Sequence, residues 1–300
     1  MAYTEIKEVN GKKYYYRVLS IRAGDKINKK RIYLGANVDK EKLKQKEIEA
    51  DKELVNLNGL LTETQIALLA KIKKDYSKEP KSNLENRYEA FCSLFTYNST
   101  AIEGNTLTLQ QTSQLLFENI TPGSKSLREI NEILNHKIGF DLLLDYEGDI
   151  TKSLILKLHQ IVVQNTLKEE LQSQIGKYRN VQVYIRGADW VPPKPKDVPL
   201  EMKSLLSWYS KNKTKLHPII LAAYFHIGFE GIHPFIDGNG RVGRLLMNFI
   251  LHKNKYPMIN IPNTSKSKYY ETLQIGQIKD NLKPFVDFLI DLLIKEKIKF

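Results

Sequence analysis

Cysteine, long apolar runs and acidic charge are all in short supply in this chain of 300 residues. Its single cysteine, Cys92, excludes a disulfide framework and a cysteine-based zinc site, and it is typical of a reducing compartment. The longest apolar stretch, residues 218–229, is too short to span a bilayer, and residues 1–13 lack the apolar core of a signal peptide. We therefore predict a soluble, cytoplasmic protein that does not insert into a membrane.

The shortage of acidic charge is concentrated near the amino terminus. The chain has 46 Lys/Arg and 34 Asp/Glu, and half of its net charge of +12 falls in residues 1–35. Contact with DNA or RNA is one use of such a basic segment, but a solvated sheet or a protein-docking module is a commoner one. The hydrophobic content of 42% is enough for one large domain plus a small appendage.

Turn residues divide the first part of the chain into a predicted three-stranded antiparallel meander. Asn10 and Gly11 form the usual two-residue hairpin signal, and a second turn is predicted at residues 23–25. Residues 38–56 then mix opposite charges at helical spacing, which predicts a solvated linker helix. We assign residues 1–58 to this basic β-meander and linker helix, and residues 59–300 to a second domain.

Apolar residues recur with helical periodicity in nearly every segment after Thr62, which we expect to be a helix N-cap. The exception is residues 180–195, where apolar and polar residues alternate before Gly187 and several prolines, a pattern that predicts a β-hairpin. The predicted fold class is therefore mainly α: a helical domain with one β-hairpin, preceded by the small meander and its linker helix.

The sequence HPFIDGNGRVGR, residues 233–244, contains three glycines before an apolar run and predicts a tight loop that leads into a helix. Arg241 and Arg244 would lie in the first turns of this helix, where the helix dipole disfavours cations. A bound anion removes the conflict, because the backbone N–H groups of residues 238–240 and both guanidinium groups would converge on it. The motif therefore predicts a phosphate site.

Other interpretations of the motif fit less well. Gly238, Gly240 and Gly243 spell the dinucleotide-binding pattern G-x-G-x-x-G, but no strand precedes them and no acidic residue follows at the required distance. A Walker A loop would need Gly-Lys-Ser/Thr, and His233 with Asp237 has no further histidine at zinc-ligand spacing. A capped turn with surface arginines accounts for the glycines but not for the arginines.

Residues 233–244 also resemble the signature of the Fic family, His-Pro-Phe-x-Asp/Glu-Gly-Asn-Gly-Arg-x-x-Arg, at every specified position. The resemblance covers roughly residues 60–300, because the helical order and the hairpin before the motif are also similar to that family. Most similar proteins are adenylyltransferases, which move AMP from ATP to a Ser, Thr or Tyr hydroxyl of a protein. The resemblance therefore implies a Mg²⁺-dependent protein adenylyltransferase with ATP as its substrate.

The resemblance also implies a role for most positions of the loop. His233 would accept the proton of the target hydroxyl, which suits an imidazole at neutral pH. Asp237 would hold Mg²⁺, which prefers one or two carboxylates together with phosphate oxygens. Phe235 is expected to anchor the loop in the core. The residues expected to bind the nucleotide phosphates are Gly238, Asn239, Gly240, Arg241 and Arg244.

A second charge lies at an unfavourable helix end. The helix predicted over residues 84–103 ends at Glu103 and Gly104, which places a carboxylate at the negative end of the dipole. By spacing alone, a solvent-facing glutamate explains this equally well. Ser99, Glu103 and Gly104 resemble the inhibitory motif Ser/Thr-x-x-x-Glu-Gly/Asn of many Fic relatives, which implies that Glu103 pairs with Arg244 and keeps basal activity low.

The hairpin predicted at residues 180–195 resembles the flap of the same family. An exposed strand offers backbone N–H and C=O groups to an extended target segment. The residues expected to dock the target are Val181, Val183, Tyr184 and Ile185. Tyr178 is expected to have a structural role. Tyr270 and Gln277 lie where relatives contact the nucleoside, although many relatives have Asn where this chain has Gln277.

The sequence leaves alternatives of other classes open. The same site supports removal of AMP, or transfer of other nucleotidyl, phosphocholine or phosphoryl groups, although Doc-like kinases usually alter the phosphate loop that is intact here. A nucleotide-sensing regulator that binds DNA or RNA through residues 1–35 is a further alternative. The expected partners are a target protein with a hydroxyl side chain and the chain itself, through auto-modification or as a homo-oligomer. The sequence names neither the target nor the signal that relieves Glu103.

Overall fold

The computed structural model describes residues 2–9, 11–23, 26–54, 57–188, 190–296 and 300. The chain divides into two compact units, Met1–Gly59 and Leu60–Phe300. Most of the buried hydrophobic side chains belong to the second unit. The core that positions the loop at residues 233–244 is therefore the core of this unit.

The first unit contains the three-stranded antiparallel meander that the sequence predicts. Its strands are β1 Ala2–Val9, β2 Lys12–Ala23 and β3 Lys26–Ala36, in the order β1-β2-β3. The register pairs Thr4 with Arg17 and Arg17 with Ile32. Asn10 of the first predicted turn lies outside the described residues, as do Gly24 and Asp25 of the second.

Helix α1, Lys40–Leu54, follows the sheet within the segment predicted as a linker helix. Its Lys46 Nζ donates a hydrogen bond to the carbonyl oxygen of Leu34 on β3, at 2.7 Å. The Glu47 carboxylate accepts a hydrogen bond from the Thr4 hydroxyl on β1. The helix is therefore packed on the sheet of its own unit, and it is more than a solvated connector.

Ten helices form the described part of the second unit, which confirms the mainly α fold class. Their bounds are α2 Glu63–Tyr76, α3 Leu84–Ala101, α4 Leu109–Phe117, α5 Leu127–Asp145, α6 Lys152–Val162, α7 Val198–Asn212, α8 Pro218–Ile232, α9 Asn239–Lys253, α10 Lys266–Lys279 and α11 Lys283–Lys295. Within the described ranges, no helix is both long and apolar enough to cross a membrane. Helix α4 is an addition to the predicted helices; it has only nine residues, too few to show a sustained helical periodicity in the sequence.

Capping boxes set the starts of three of these helices. Thr62, Thr108 and Ser126 each form a capping box, in which the hydroxyl oxygen accepts a hydrogen bond from the backbone N–H three residues later. Such a cap contributes about 1 kcal/mol to helix stability. The predicted cap at Thr62 is confirmed, and the Ser126 cap fixes the start of α5, which lines the candidate site.

Helices α8 and α9 form the centre of the second unit. Nearly every residue of α8 is buried, which agrees with a helix that is apolar on most of its circumference, and α9 is buried from Arg241 to Leu251. Helices α3, α5 and α6 pack against α9, and α7, α10 and α11 pack against α8. The helices on both sides of the loop between α8 and α9 are therefore held in place by the helices packed around them.

The strand pairing predicted for residues 180–195 is wrong. In the described part of this flap segment, which omits Asp189, no residue belongs to a β-strand. The chain does turn at Arg186 and Gly187, and the Ala188 N–H donates to the Ile185 carbonyl oxygen at 3.1 Å. The returning arm contains several prolines, which lack the N–H that a ladder needs. The described part of the flap segment is therefore a turn with two arms that form no β-ladder.

Candidate active site

The loop between α8 and α9 is held in a strained backbone conformation. His233 ends α8 with φ +49° and Gly238 begins α9 with φ +82°, both in the left-handed region. A non-glycine residue with positive φ is uncommon and typical of functional sites. The Asn239 side chain closes the loop, because its amide accepts from the Phe235 N–H and donates to the Phe235 carbonyl oxygen, both at 2.9 Å.

Phe235 anchors this loop, as predicted. Its side chain is fully buried and stacks on the His159 imidazole, with ring centroids 3.8 Å apart and an interplanar angle of 1°. His159 is fixed in turn, because its Nδ1 accepts the Gly176 N–H at 3.0 Å. The stack ties the loop to α6 and to the segment that leads to the flap.

Replacement of this anchor is expected to destabilise the second unit. Phe235→Ala should lower the free energy of unfolding by about 3–5 kcal/mol, because it removes a fully buried aromatic ring. Both tryptophans, Trp190 and Trp208, lie in the second unit, so tryptophan fluorescence in urea follows this unit alone. Tyr184→Ala, at a side chain that is 77% exposed, should stay within about 0.5 kcal/mol of wild type. Equal stabilities of the two variants would contradict the assigned role of Phe235.

The first turn of α9 presents an anion site that is filled by a carboxylate. The first backbone bond of the helix runs from the Val242 N–H to the Gly238 carbonyl oxygen at 3.0 Å. The N–H groups of residues 239–241 precede this bond and have no partner within the helix. Glu103 Oε1 lies so close to Gly240 that a Cβ on this glycine would overlap it. A negative charge is therefore present at the positive end of the α9 dipole.

Arg244 holds this carboxylate in place. Its Nη2 donates to Glu103 Oε1 at 2.8 Å and to the Ser99 carbonyl oxygen at 2.6 Å, and its Nε donates to Ser99 Oγ at 3.0 Å. Arg244 is only 1% exposed, and the Glu103 carboxylate raises the pKa of this guanidinium against the effect of burial. The two residues therefore neutralise each other, and Glu103, although 33% of its side chain is exposed, is not a freely solvated side chain.

The helix that carries Ser99 ends where the sequence predicts, within two residues. Helix α3 closes at Ala101, and Ile102, Glu103 and Gly104 form a turn. Gly104 has φ +104°, a conformation that favours glycine. Glu103 consequently projects from the end of the helix and not from its side.

Arg241 is the partner of two other carboxylates. Its Nη2 contacts Asp237 Oδ1 at 3.0 Å, and its Nη1 lies 3.8 Å from Glu132 Oε1 on α5. Arg241 is 1% exposed and Glu132 is 7% exposed. Arg128, one turn before Glu132, lies 3.6 Å from Asp237 Oδ2. Neither arginine of the motif is therefore a surface residue, which excludes the capped-turn interpretation.

His233 has one enclosed ring nitrogen and a partly open side chain. The side chain is 21% exposed, but Nδ1 is buried. Burial lowers the pKa of His233 to about 4, and a hydrogen bond to the Glu230 backbone, followed by the nearby Glu103 carboxylate, opposes this only in part. The imidazole is therefore neutral at physiological pH and able to accept a proton.

Arg179 is a site residue whose role the sequence does not reveal. This arginine is 2% exposed, and its Nε donates to the His233 carbonyl oxygen at 2.8 Å. Nη1 donates to Val181 O at 3.1 Å and Nη2 to Pro193 O at 2.6 Å. One guanidinium therefore joins the loop to both arms of the flap segment, and the Gln182 amide adds a bond to Pro192 O at 3.0 Å.

The remaining predicted residues lie around this centre. Tyr270 is 42% exposed on α10, and burial of its hydroxyl, together with the nearby Glu103 charge, raises the pKa of this phenol against the effect of Arg244. Gln277, two turns later on α10, lies beside Gly231 at the end of α8. On the flap segment, Val181 and Tyr184 are exposed, whereas Val183 and Ile185 are half-buried. The hydroxyl of Tyr178 is buried, in accordance with a structural role.

Comparison with known proteins places this loop in a family. The Fic/DOC family model matches residues 149–251, which include the whole loop. The protein adenylyltransferase Fic of Drosophila persimilis is 42% identical over 205 residues, which are 65% of this chain and 38% of that protein. The chain therefore spans about two fifths of the length of the curated relatives that it matches.

Two solved structures share the fold over most of their length. The crystal structure of a Fic domain containing signaling protein from Bacteroides thetaiotaomicron is 33% identical, with a TM-score of 0.69 over 77% of this chain and 94% of that one. A Fic-1 fragment from C. elegans is 25% identical, with a TM-score of 0.69 over 86% of this chain and 76% of that one. By its loop, its helices and this identity, the chain belongs to the Fic/DOC family.

Proposed function

We propose that this chain transfers AMP from ATP to a Ser, Thr or Tyr hydroxyl of a target protein, and that Glu103 inhibits the transfer by occupying Arg244. The observation that carries the proposal is the Glu103 carboxylate over Gly240, held by Arg244 at the start of α9. This arrangement is an anion site of the kind that binds phosphates. The name protein adenylyltransferase, borne by the relative from Drosophila persimilis, supports the reaction class.

Each residue of the loop has a role in the proposed reaction. His233 takes the proton of the target hydroxyl, and its neutral imidazole supports this assignment. The N–H groups of Gly238, Asn239 and Gly240 receive the α- and β-phosphates. The β- and γ-phosphates take the place of the carboxylates that now pair with Arg241 and Arg244.

Mg²⁺ fits Asp237 only as part of a shared site. The Asp237 side chain is 35% exposed, and its Oδ1 already accepts the Gly238 N–H at 2.6 Å. The described residues contain no group of three or more His, Cys, Asp or Glu that would hold a metal alone. One carboxylate suits Mg²⁺, which takes its other ligands from phosphate oxygens and water. When bound, the ion would neutralise phosphate charge, and Asp237 would hold it.

The target is proposed to lie along the flap segment. The exposed arm at Val181 and Tyr184 offers a surface beside the loop, and Arg179 fixes its base. An extended segment of the target would place its hydroxyl near His233 through backbone contacts. Tyr270 and Gln277 are proposed to contact the nucleoside. Auto-modification would use the same arrangement with a hydroxyl of the chain itself.

Labelled ATP tests the reaction class directly. The Glu103→Gly variant is incubated with Mg²⁺ and with ATP labelled on either the α- or the γ-phosphate, and label bound to protein is counted. Transfer from the α-phosphate alone is expected. Transfer from the γ-phosphate alone would indicate a kinase, and transfer from neither position would indicate a different donor or a nucleotide sensor. His233→Ala in the same background is the control, and it should bind ATP but transfer no label.

A further inference from the structure

Helix α1 packs on one face of the three-stranded sheet, and tyrosines occupy the other face. The Glu47 carboxylate on α1 contacts the side chains of Thr4 on β1 and Arg17 on β2, so these two residues point toward the helix. Successive side chains of a strand point to opposite faces, and the register pairs Thr4 with Arg17. By this alternation, the face turned away from α1 includes Lys7, Lys12, Tyr14, Tyr16 and Tyr33, which we call the tyrosine face.

The three rings of the tyrosine face lie side by side. The Tyr33 ring centroid is 5.3 Å from that of Tyr16 and 6.4 Å from that of Tyr14, with interplanar angles of 45° and 33°. Tyr33 is 53% exposed, and Tyr14 and Tyr16 are half-buried, whereas Val18, further from the first turn on the same face, is buried. The sheet therefore presents a cluster of flat aromatic surfaces to solvent, a feature typical of binding surfaces.

The charge of the tyrosine face is positive. Lys7 Nζ lies 5.6 Å from the centre of the Tyr16 ring, so a positive charge stands directly beside the aromatic cluster. The one acidic residue that alternation places on this face of the described strands, Glu5, pairs with Arg31 at 3.0 Å. Lys7 and Lys12 are exposed, and neither forms an ion pair with another residue that the structure describes. Their charge is therefore available to an anionic partner.

We infer that the tyrosine face binds single-stranded nucleic acid, with bases stacked on the tyrosine rings and phosphates held by Lys7 and Lys12. Single strands bind to proteins through this combination, because every base has a flat aromatic surface and every nucleotide carries one negative charge. The net charge of +6 in residues 1–35 adds a general attraction for a polyanion. The inference goes beyond the proposed function, since it concerns the first unit alone.

Other partners fit the tyrosine face less well. In a duplex the bases stack on one another, so only phosphates and base edges remain for the protein, and the rings would have no partner. Tyrosine is also enriched where proteins bind each other, but lysine is depleted there. A sheet that is merely solvated does not account for three neighbouring rings beside lysines without ion pairs. Rings and positive charge together therefore favour a single strand.

Oligonucleotide binding by the full chain tests the inference. Fluorescein-labelled oligo(dT) and oligo(U), each about 20 nucleotides long, are titrated with protein, and fluorescence anisotropy gives the Kd between about 50 and 200 mM salt. Saturating ATP is present, so that a strand entering the proposed nucleotide site on α9 is displaced. At least one strand should bind, and log Kd should rise linearly with log salt. The difference between the two strands identifies the partner as DNA or RNA.

Substitution of the rings tests stacking. The double variant Tyr16→Ala and Tyr33→Ala should raise Kd at least about fivefold, which is the loss expected for one stacked base. The double variant Tyr16→Phe and Tyr33→Phe keeps both rings and should bind as wild type does. A Phe variant that binds as weakly as the Ala variant would mean that the hydroxyl groups, and not the rings, make the contact, which would overturn the stacking.

Charge reversal tests the phosphate contacts without disturbing the rings. The double variant Lys7→Glu and Lys12→Glu should weaken binding, and the slope of log Kd against log salt should fall by about 0.7 for each lost phosphate contact. The matched control is Lys40→Glu with Lys44→Glu, at exposed residues of α1, which changes the net charge by the same amount. This control should lose less affinity and keep the wild-type slope.

Four results would overturn the inference. These are no binding of either strand, equal Kd values for the two charge-reversal variants, tighter binding of duplex DNA of the same length, and equal displacement of the strand by polyglutamate. The last result would mean that the face accepts acidic proteins as readily as nucleic acid. None of these measurements depends on AMP transfer, so the inference and the proposed function can fail separately.

Discussion

Glu103→Gly is expected to raise AMP transfer by about 10- to 100-fold over wild type, measured as label bound to protein from ATP labelled on the α-phosphate. The substitution removes the carboxylate that Arg244 Nη2 contacts at 2.8 Å. A hydrogen bond to a charged group is worth about 1.5–3 kcal/mol, and each 1.4 kcal/mol corresponds to a factor of ten. The γ-phosphate no longer has to displace Glu103 in order to reach the guanidinium.

In the Glu103→Gly variant, the unfolding temperature should depend on bound nucleotide more strongly than it does in wild type. Without Glu103, the buried Arg244 keeps its bonds to Ser99 but loses its counter-charge, so the nucleotide-free variant should unfold at a lower temperature than wild type. ATP with Mg²⁺ supplies the missing charge and should raise the unfolding temperature of the variant more than that of wild type. Thermal unfolding followed by tryptophan fluorescence, with and without ATP, measures both effects.

Glu103→Gln is the matched control, because glycine also loosens the turn after α3. Glutamine keeps the shape and one acceptor but removes the charge, so its activity should lie between wild type and Glu103→Gly. If Glu103→Gly and Glu103→Gln both transfer label at the wild-type rate, the pair with Arg244 does not control activity. A gain in Glu103→Gly alone would point to the backbone of the turn as the cause.

Charged residues at helix ends where the dipole disfavours their sign are the most informative signal in the sequence. Arg241 and Arg244 conflict with the dipole of α9, and Glu103 conflicts with that of α3. Each conflict is local and can be recognised without knowledge of the fold. The structure brings Glu103 and Arg244 together across 141 positions of the chain, so two local conflicts resolve each other at long range.

The residues that support the site could not be found in this way. Glu132 and Arg179 act through contacts between elements that are distant in sequence, and neither of them conflicts with its own helix or loop. The shape of the flap segment differs from the prediction for a related reason. Alternating apolar and polar residues predict paired strands, but the prolines of the returning arm and the hydrogen bonds from Arg179 determine the observed shape.

Arg179→Lys is expected to lower kcat/KM for protein modification by about 100-fold in the Glu103→Gly background, with the Kd for ATP nearly unchanged. The guanidinium fork holds the carbonyl oxygens of His233, Val181 and Pro193 at once, and an ammonium group cannot match this planar geometry. The loop and the flap segment would then shift relative to each other, and a displacement of about 1 Å costs about 100-fold in rate. The phosphate cradle on α9 does not involve Arg179, so ATP still binds.

Arg186→Lys is the matched control, since Arg186 is an exposed arginine at the turn of the same flap segment. Arg186→Lys should retain the parental rate. The comparison then shows that the loss in Arg179→Lys comes from the hydrogen bonds of the Arg179 guanidinium and not from the replacement of any arginine near the target. Arg179→Lys should also lower the free energy of unfolding of the second unit by about 1.5–3 kcal/mol, so rates are compared at a temperature where both variants are folded. If Arg179→Lys weakens ATP binding as much as it lowers the rate of AMP transfer, Arg179 supports only the loop at residues 233–244. A selective loss of transfer would mean that it sets the position of the target against His233.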